Sequence, residues 1–497
     1  MTSRKRGMKI VAGAGVGAAA AAALRRRWAG RRGTGAPAVP EPGSPGDRYL
    51  EHLAAAVRIP TISNEDRSRI DPAPFTAFPA FLESSYQLVH EHLAREVVAG
   101  HSLLYKWEGA DPDAPAVLLM GHMDVVEIEP GTESAWPHPP FAAERDEEFL
   151  WGRGTLDDKC SVIAIFEAVE GLLAEGFRPD VTLYLAIGHD EEIGGGQGAA
   201  AVAALLGFRQ VHLDFVLDEG GAVVSSLLPG ITRPVALVGI GEKGYLNREL
   251  IAEGPGGHSS VPPAHTAVGA LAAAVARLEA NRLPARLDSQ AGFLAALGPV
   301  LGGLNGLVLR HADRARRLVE RRLAATPPGN ALIRTTTAVT MIEGGVKPNV
   351  LPQSARAVAN FRVIPGDTVA GVLAHVQQVV GEGVTVRQLP GGFSAEPSPL
   401  SSTGSEAYRV VVETIGEAFP DAAVAPWIVM GATDARHYIP IAADVYRFSP
   451  FRLTPADMSR MHGTGERLRL SDADGALAFY RALVQKACGA SAIVPGT

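Results

Sequence analysis

The chain has 497 residues, 46% of them hydrophobic and 20% charged, which is the composition of a globular protein with about two or three domains. Its formal net charge is −7, so there is no basic excess of the kind that attracts nucleic acid. Two cysteines, Cys160 and Cys488, are too few for a disulfide framework or a cysteine-rich zinc module. Any metal ion must therefore be held by His, Asp and Glu.

Residues 1–46 differ from the rest of the chain. Arg4–Arg6 precede an Ala/Gly-rich apolar run, Met8–Leu24, and three further arginines follow it. A basic start before a short apolar run resembles a signal peptide or signal anchor, although the run is shorter than a comfortable membrane span. We expect a membrane-anchored or exported protein rather than a cytoplasmic one. The Gly/Pro-rich stretch from Gly33 to Gly46 is predicted to be a flexible tether.

Residues 47–241 alternate strand patterns with a helix pattern. Short apolar runs at Val117–Met120, Val181–Ile187 and Phe215–Leu217 predict buried strands. Apolar residues at helical spacing predict a helix over Asp158–Glu175, with Gly176 as its stop signal. Strands alternating with helices favour βαβ units and a mostly parallel sheet, which we assign to the first part of an α/β domain.

The pattern changes after Glu242. Residues 242–393 read as a smaller α+β domain, with predicted strands and helices at Tyr245–Ala252, Thr266–Leu278, Thr335–Ile342, Arg356–Val363 and Thr368–Val380. A Leu- and Arg-rich segment, about 281–330, is predicted to be a helical insertion within it. Residues 394–497 return to the α/β pattern and complete this domain, which is predicted to have helices on both faces of its sheet.

Polar clusters follow the three predicted strands. They begin at Gly121-His122, His189-Asp190 and Asp218-Glu219, and a fourth cluster, Asp157-Asp158, opens the long helix. Taken singly, a His-x-Asp pair is usually a surface feature and Asp-Asp at a helix start is usually a cap. Ligands bind open α/β sheets at the carboxyl ends of the strands, so these clusters should converge.

Converging carboxylates repel each other unless a cation neutralises them. Ligation by His and carboxylate without Cys suits zinc or another first-row divalent ion. A carboxylate that bridged two such ions would make a two-metal hydrolase site.

The motifs GHMDVV, WGRGTLDDK, HDEEIGG, LDEG, GGHSS and MHGTGE occur in this order. Together they resemble the zinc carboxypeptidase and aminoacylase family, and the resemblance runs from about Tyr49 to near the C-terminus. GRGTLDDK, LDEGG and GATDARHY are most similar to the carboxypeptidase S and N-fatty-acyl-amino-acid hydrolase branch. The resemblance implies two Zn²⁺ ions, with Co²⁺ or Mn²⁺ as substitutes.

The resemblance also implies a role for each matching residue. One zinc would be bound by His122 and Asp218 and the other by Glu192 and His462. Asp157 would bridge them, and a cis peptide bond would join it to Asp158. Two further residues would lie beside the metal ions without binding them: Asp124 would orient His122, and Glu191 would be the general base.

The resemblance also implies that the α/β domain is catalytic and that residues 242–393 form a lid domain of the dimerisation type. In this lid, His258 would stabilise the oxyanion of the tetrahedral intermediate. Asn349 and Arg362 match lid positions that hold the substrate, and Arg436 is a second candidate for its carboxylate. Guanidinium groups suit this task because they pair with a carboxylate through two hydrogen bonds. The resemblance further implies a homodimer formed through the lid domain.

The predicted function is hydrolysis of an amide bond next to a free carboxylate, in a small peptide or an N-acyl amino acid. Nucleic acid is not expected as a partner. The alternative is a non-catalytic binding module that retains the fold. The complete set of metal ligands and Glu191 favours the enzyme, because a module without activity would be expected to lose part of it.

Overall fold

The structure is a computed structural model and describes residues 39–226, 231–390 and 394–489. The predicted signal or anchor lies outside the described residues and stays a prediction. In the described part of the chain, no helix combines the length and the apolar character that a membrane crossing requires. The predicted tether ends earlier than expected: Ser44 accepts a hydrogen bond from the Asp47 amide, and helix α1 begins at Pro45.

The chain before the lid contains helices α1–α5 and strands β1–β9. The helices are Pro45–Val57, Pro72–Ser85, Gln87–His92, Lys159–Ala174 and Ala199–Phe208. The strands are Ala94–Val98, Ser102–Trp107, Ala116–His122, Glu144–Arg145, Phe149–Trp151, Leu183–Gly188, Leu213–Asp218, Val223–Val224 and Val235–Glu242.

The remaining elements are numbered in the same way. The lid strands β10–β16 are Gly244–Glu253, Gly257–His258, Thr336–Gly344, Val350–Leu351, Ser354–Val363, Val384–Gln388 and Ser394–Ala395. Helices α6–α11 are Ala267–Ala280, Ala291–Leu301, Gly303–Arg310, Arg316–Leu323, Pro327–Ile333 and Val369–Val380. After the lid come strands β17–β20 (Ala423–Val429, Ala442–Arg447, Arg452–Leu453 and Arg467–Arg469) and helices α12–α14 (Glu406–Ala418, Pro455–Met458 and Ala473–Cys488).

The main sheet has the spatial order β1-β2-β6-β3-β7-β18-β9-β8-β19, and β17 pairs with β9. Strands β6, β3, β7 and β18 run parallel to one another, whereas β2 and β9 pair antiparallel with the two outer strands of this group. They are buried on both faces: α4 and α14 contribute to the core on one side, and α5 with the 3₁₀ segment Asp434–Ile441 contributes on the other. This arrangement confirms the predicted α/β class with helices on both faces.

The second sheet has the order β12-β14-β10-β15 and packs against α6 and α11 around its own core. Its residues fall within the predicted lid. The insertion forms helices as predicted, but it packs on the main sheet. Phe293 of α7 meets Trp427 of β17 with ring centroids 5.2 Å apart, within a shared apolar cluster. Dimerisation through the lid stays a prediction.

Candidate metal and active site

The site forms where three neighbouring strands end. Strand β3 pairs in parallel with β6 on one side and β7 on the other, so their carboxyl ends lie side by side. His122 is the last residue of β3, Glu191 and Glu192 follow β6, and Asp218 ends β7. The predicted convergence of the polar clusters at one sheet edge is confirmed.

Asp157 lies between two histidines. Its Oδ1 is 3.0 Å from Nε2 of His122, and its Oδ2 is 2.9 Å from Nε2 of His462. The peptide bond between Asp157 and Asp158 is cis, as the resemblance implied. One carboxylate therefore faces two histidines from distant parts of the chain.

Glu219, rather than Asp218, meets His122. Oε1 of Glu219 is 3.4 Å from Nε2 of His122. The Asp218 carboxylate instead accepts a hydrogen bond of 2.9 Å from the amide of Ala435. Consecutive residues of an extended chain point to opposite sides, so only one of this pair can face His122. This placement differs from the expectation for Asp218.

Glu192 and His462 lie on the other side of Asp157. Their Oε2 and Nε2 atoms are 3.1 Å apart. The side chain of His462 is 55% exposed, whereas that of His122 is 2% exposed, so the two histidines differ in their access to solvent.

The donor atoms fit a divalent cation. His122, Asp158 and Glu219 form one group, and His122, Asp157 and Glu192 form another, each with ligand atoms within 4.8 Å of one another. Oδ2 of Asp158 and Oε1 of Glu192 are buried and lack a hydrogen-bond partner among the described residues. Buried carboxylate oxygens without partners are costly unless a cation or proton satisfies them. Nitrogen and oxygen donors without sulfur suit zinc and similar ions.

The charges of the site shift its proton affinities. Hydrogen bonds to Asp157 and Glu192 raise the pKa of His462 to about 10. Burial, reinforced by the neighbouring Asp157, raises the pKa of Glu192 to about 7. Without a metal ion the cluster would therefore retain protons near neutral pH, and a bound divalent ion would displace them.

Glu191 lies beside the cluster but belongs to neither donor group. Asp124 fixes this turn, because its two carboxylate oxygens accept hydrogen bonds from the amides of Glu191 (3.1 Å) and Glu192 (3.2 Å). Burial raises the pKa of the Glu191 carboxyl well above its ordinary value, and nearby Asp434 and Glu219 add to the effect.

Asp124 also approaches His122, although the closer contact comes from its backbone. Nδ1 of His122 is 3.0 Å from the Asp124 carbonyl oxygen and 3.5 Å from its carboxylate. The Asp124 carboxylate, which was expected to orient His122, therefore lies farther from this histidine than the Asp124 carbonyl oxygen does. The main role of the Asp124 carboxylate in this structure is to hold the Glu191–Glu192 turn.

Glu466 holds the backbone at Asp157, and the sequence assigned it no role. Its buried Oε1 accepts hydrogen bonds from the amides of Gly154 (3.0 Å), Leu156 (2.8 Å) and Asp157 (3.2 Å). Its Oε2 pairs with Arg153 at 2.7 Å. The MHGTGE motif contains this glutamate, but its partners lie about 310 residues away in the chain, so local sequence gave no sign of the contact.

The lid candidates lie apart from the cluster. His258 is exposed, with Nδ1 2.7 Å from Oγ of Ser260, and the adjoining Ser259 amide donates to the carbonyl of Asn349. Arg362 lies over the ring of Tyr245, 4.6 Å from its centroid. Within the described ranges, no hydrogen bond or ion pair joins His258, Asn349 or Arg362 to the metal-ligand groups.

Arg436 is next to the cluster. Its guanidinium donates to the carbonyl oxygens of Gly194 (2.7 Å) and Thr433 (2.9 Å). Gly194 directly follows the 3₁₀ turn Glu191–Ile193. Arg436 is thereby held beside the residues predicted to carry the chemistry.

Residues 118–486 match the family described as peptidase family M20/M25/M40. The chain belongs to this family. It is therefore a metallohydrolase, and the alternative of a non-catalytic binding module is set aside. Family members use a divalent metal, typically zinc, and the donor groups around His122 are a candidate site for it.

Curated relatives match most of the chain. A probable carboxypeptidase S-like 2 of Dictyostelium discoideum is 37% identical over 440 residues, covering 88% of this chain and 84% of the relative. An N-fatty-acyl-amino acid synthase/hydrolase of Mus musculus is 37% identical over 474 residues, covering 92% of each. Carboxypeptidase S of Saccharomyces cerevisiae is 30% identical over 486 residues, covering 86% of this chain and 82% of the relative. This is the predicted branch of the family.

A solved structure shares the fold. The M20 family metallo-carboxypeptidase from Sulfolobus solfataricus superposes with a TM-score of 0.64 at 19% identity, covering 88% of this chain and 98% of its own. Together with the family match, the relatives support metallo-carboxypeptidase or N-acyl-amino-acid amidohydrolase activity.

Proposed function

We propose that the protein uses two divalent ions, zinc in the first instance, to hydrolyse an amide bond next to a free carboxylate. The observation that carries this proposal is the position of Asp157, whose two oxygens face different histidines at 3.0 and 2.9 Å. A carboxylate with both oxygens directed at separate nitrogen donors is suited to bridging two ions. The products would be an amino acid and either a shorter peptide or a free acid.

Each ion would have its own ligands beside the shared Asp157. His122 and Glu219 would hold one ion, and Glu192 and His462 would hold the other. The contacts of Glu219 with His122 and of Glu192 with His462 support this division. We propose Glu219 in place of Asp218 because the Asp218 carboxylate is engaged by a backbone amide.

When bound, the ions would supply Lewis-acid activation of water and of the scissile carbonyl. Glu191 would accept the proton of the attacking water and pass it to the leaving nitrogen. Its fixed backbone, its half-buried position and its absence from both donor groups support that role. His258 would donate a hydrogen bond to the oxyanion, and its position on the lid requires a closed lid or a second subunit to bring it there.

The free carboxylate of the substrate would need a cationic partner. Arg362 on the lid and Arg436 beside the Glu191 turn are the candidates, with Asn349 as a further lid contact. Burial lowers the pKa of Arg362, although the group remains a cation at neutral pH. A guanidinium in such surroundings gains from a bidentate carboxylate.

The test is a substrate panel with protein loaded with zinc or cobalt. Dipeptides, N-acetyl amino acids and N-fatty-acyl amino acids would each be compared with matched substrates whose carboxylate is amidated. Amidation should lower kcat/KM about 30- to 1,000-fold, because the guanidinium loses its partner. Arg362→Gln and Arg436→Gln identify which arginine carries that preference. Equal cleavage of acid and amide would contradict recognition of a free carboxylate.

A further inference from the structure

The helical insertion carries an exposed surface that combines apolar and basic side chains. Leu304 and Leu307 on α8 are 77% and 52% exposed, and Leu318 on α9 is 47% exposed. Leu304 and Leu307 are three residues apart, so they share one face of α8. Leucines with this degree of exposure are expensive to leave in water when they are close together.

The same segment is strongly basic in an acidic protein. Residues 303–323 contain six arginines against Asp313 and Glu320, a net charge of +4, whereas the whole chain carries −7. Arg316 pairs with Asp288 and Glu320. The side chains of the other five form no hydrogen bond or ion pair with any described residue: Arg310, Arg314, Arg317, Arg321 and Arg322.

The spacing sets arginines next to the exposed leucine. Arg321 and Arg322 lie three and four residues after Leu318, so they flank it on one side of α9, and Arg314 lies in the turn before this helix. Val319 turns the opposite way and is buried in the cluster shared with the main sheet. The outer face of the insertion is thus anchored through its inner face to the catalytic domain.

We infer that the exposed surface of residues 303–323, which carries the three leucines and the five arginines without side-chain partners, docks on an anionic lipid surface. Arginines bind phosphate headgroups, and leucines enter the boundary between headgroups and acyl chains. Nucleic acid would satisfy the arginines but leave the leucines in water. An anionic bilayer offers phosphates to the arginines and an apolar layer to the leucines. This inference does not depend on the metal cluster or on the proposed hydrolysis.

The direct test is co-sedimentation of the full-length protein with vesicles. Vesicles of phosphatidylcholine alone are compared with a mixture of phosphatidylcholine and phosphatidylglycerol. Each arginine near an anionic surface strengthens binding about fivefold. Arg317→Gln with Arg321→Gln should therefore weaken binding to the anionic vesicles roughly 25-fold. Leu304→Ser with Leu307→Ser should weaken it as well, since each inserted leucine contributes roughly tenfold.

A control removes two positive charges from elsewhere, by Arg178→Gln with Arg409→Gln, and should leave vesicle binding unchanged. All variants keep the N-terminal segment, so any binding by that segment cancels in the comparison. Thermal melting of each variant checks that it is folded.

Three results would overturn the inference. The first is wild-type protein that does not sediment with anionic vesicles, and the second is arginine variants that bind these vesicles as tightly as the control variant does. The third is wild-type protein that binds a DNA duplex and shows no preference for anionic vesicles.

Discussion

Asp157 and His462 are separated by 305 residues in the chain, yet Oδ2 of Asp157 lies 2.9 Å from Nε2 of His462. The contact joins the residues just before α4 to the loop between α13 and β20. It places one oxygen of Asp157 on the side of Glu192 and leaves the other for His122.

Asp157→Asn should therefore weaken binding at both metal positions. Loss of a group that merely orients a ligand costs about 10- to 100-fold in metal affinity, so loss of a shared ligand should cost at least about 100-fold. Elemental analysis after dialysis at a fixed free zinc concentration measures the effect. The exposed Asp113→Asn is the matched control, and a variant at position 157 that retains the wild-type metal content would rule out bridging.

Glu219→Gln and Asp218→Asn distinguish two neighbouring carboxylates. Glu219→Gln should lower metal content, because its carboxylate is the one facing His122. Asp218→Asn should keep it, since the amide oxygen of asparagine can still accept from Ala435. Equilibrium dialysis of both variants decides the matter. The reverse pattern would restore Asp218 as the ligand.

Glu466→Gln should destabilise the loop that carries Asp157. It breaks a buried pair with Arg153, which typically costs about 3–5 kcal/mol. The exposed pair of Glu148 with Arg469 provides the control, and Glu148→Gln should cost less than about 1 kcal/mol. Denaturant unfolding of the two variants measures both effects. Equal losses of unfolding free energy in the two variants would mean that burial does not strengthen the pair of Glu466 with Arg153.

Asp472, which lies outside the active site, should make the stability of the fold depend on pH. Its Oδ2 accepts a hydrogen bond from the Arg452 amide at 2.8 Å, and its buried Oδ1 has no partner in the part of the chain that the structure describes. Burial raises its pKa to about 7. The folded state then binds the proton more tightly than the unfolded state does. This contribution to stability is present at low pH and is lost as pH rises toward 7.

Asp472→Asn removes that titration. The difference in unfolding free energy, variant minus wild type, should increase by about 3 kcal/mol between pH 5 and pH 8. Thermal melts of both proteins across this range measure it. A difference that stays constant with pH would show that Asp472 ionises normally in the folded protein.

Elements with a clear hydrophobic period could be predicted closely from the sequence. The predicted helix Asp158–Glu175 is observed as Lys159–Ala174, and Gly176 has the positive φ of 77° expected of a helix stop. The predicted strand Tyr245–Ala252 is observed as Gly244–Glu253. Burial on one or both faces dictates these patterns directly, so they can be read without tertiary information.

Side-chain direction at the ends of elements could not be predicted in the same way. Choosing between Asp218 and Glu219 requires knowing which of them leaves the strand toward His122, and both are acidic. The role of Glu466 depends on backbone amides of a loop more than 300 residues earlier. The packing of the insertion on the main sheet rests on contacts such as that of Phe293 with Trp427, which no local pattern records.

The central claim is that Glu191 moves the proton while Glu192 holds metal. The most direct test measures bound metal and kcat for Glu191→Gln and Glu192→Gln side by side, on the best substrate of the panel. We expect Glu191→Gln to keep wild-type metal content while kcat falls by about 100-fold or more, since the acid–base group is lost. Glu192→Gln should lose metal and activity together. Equal metal loss in both variants, or near-normal kcat in metal-loaded Glu191→Gln, would contradict the account.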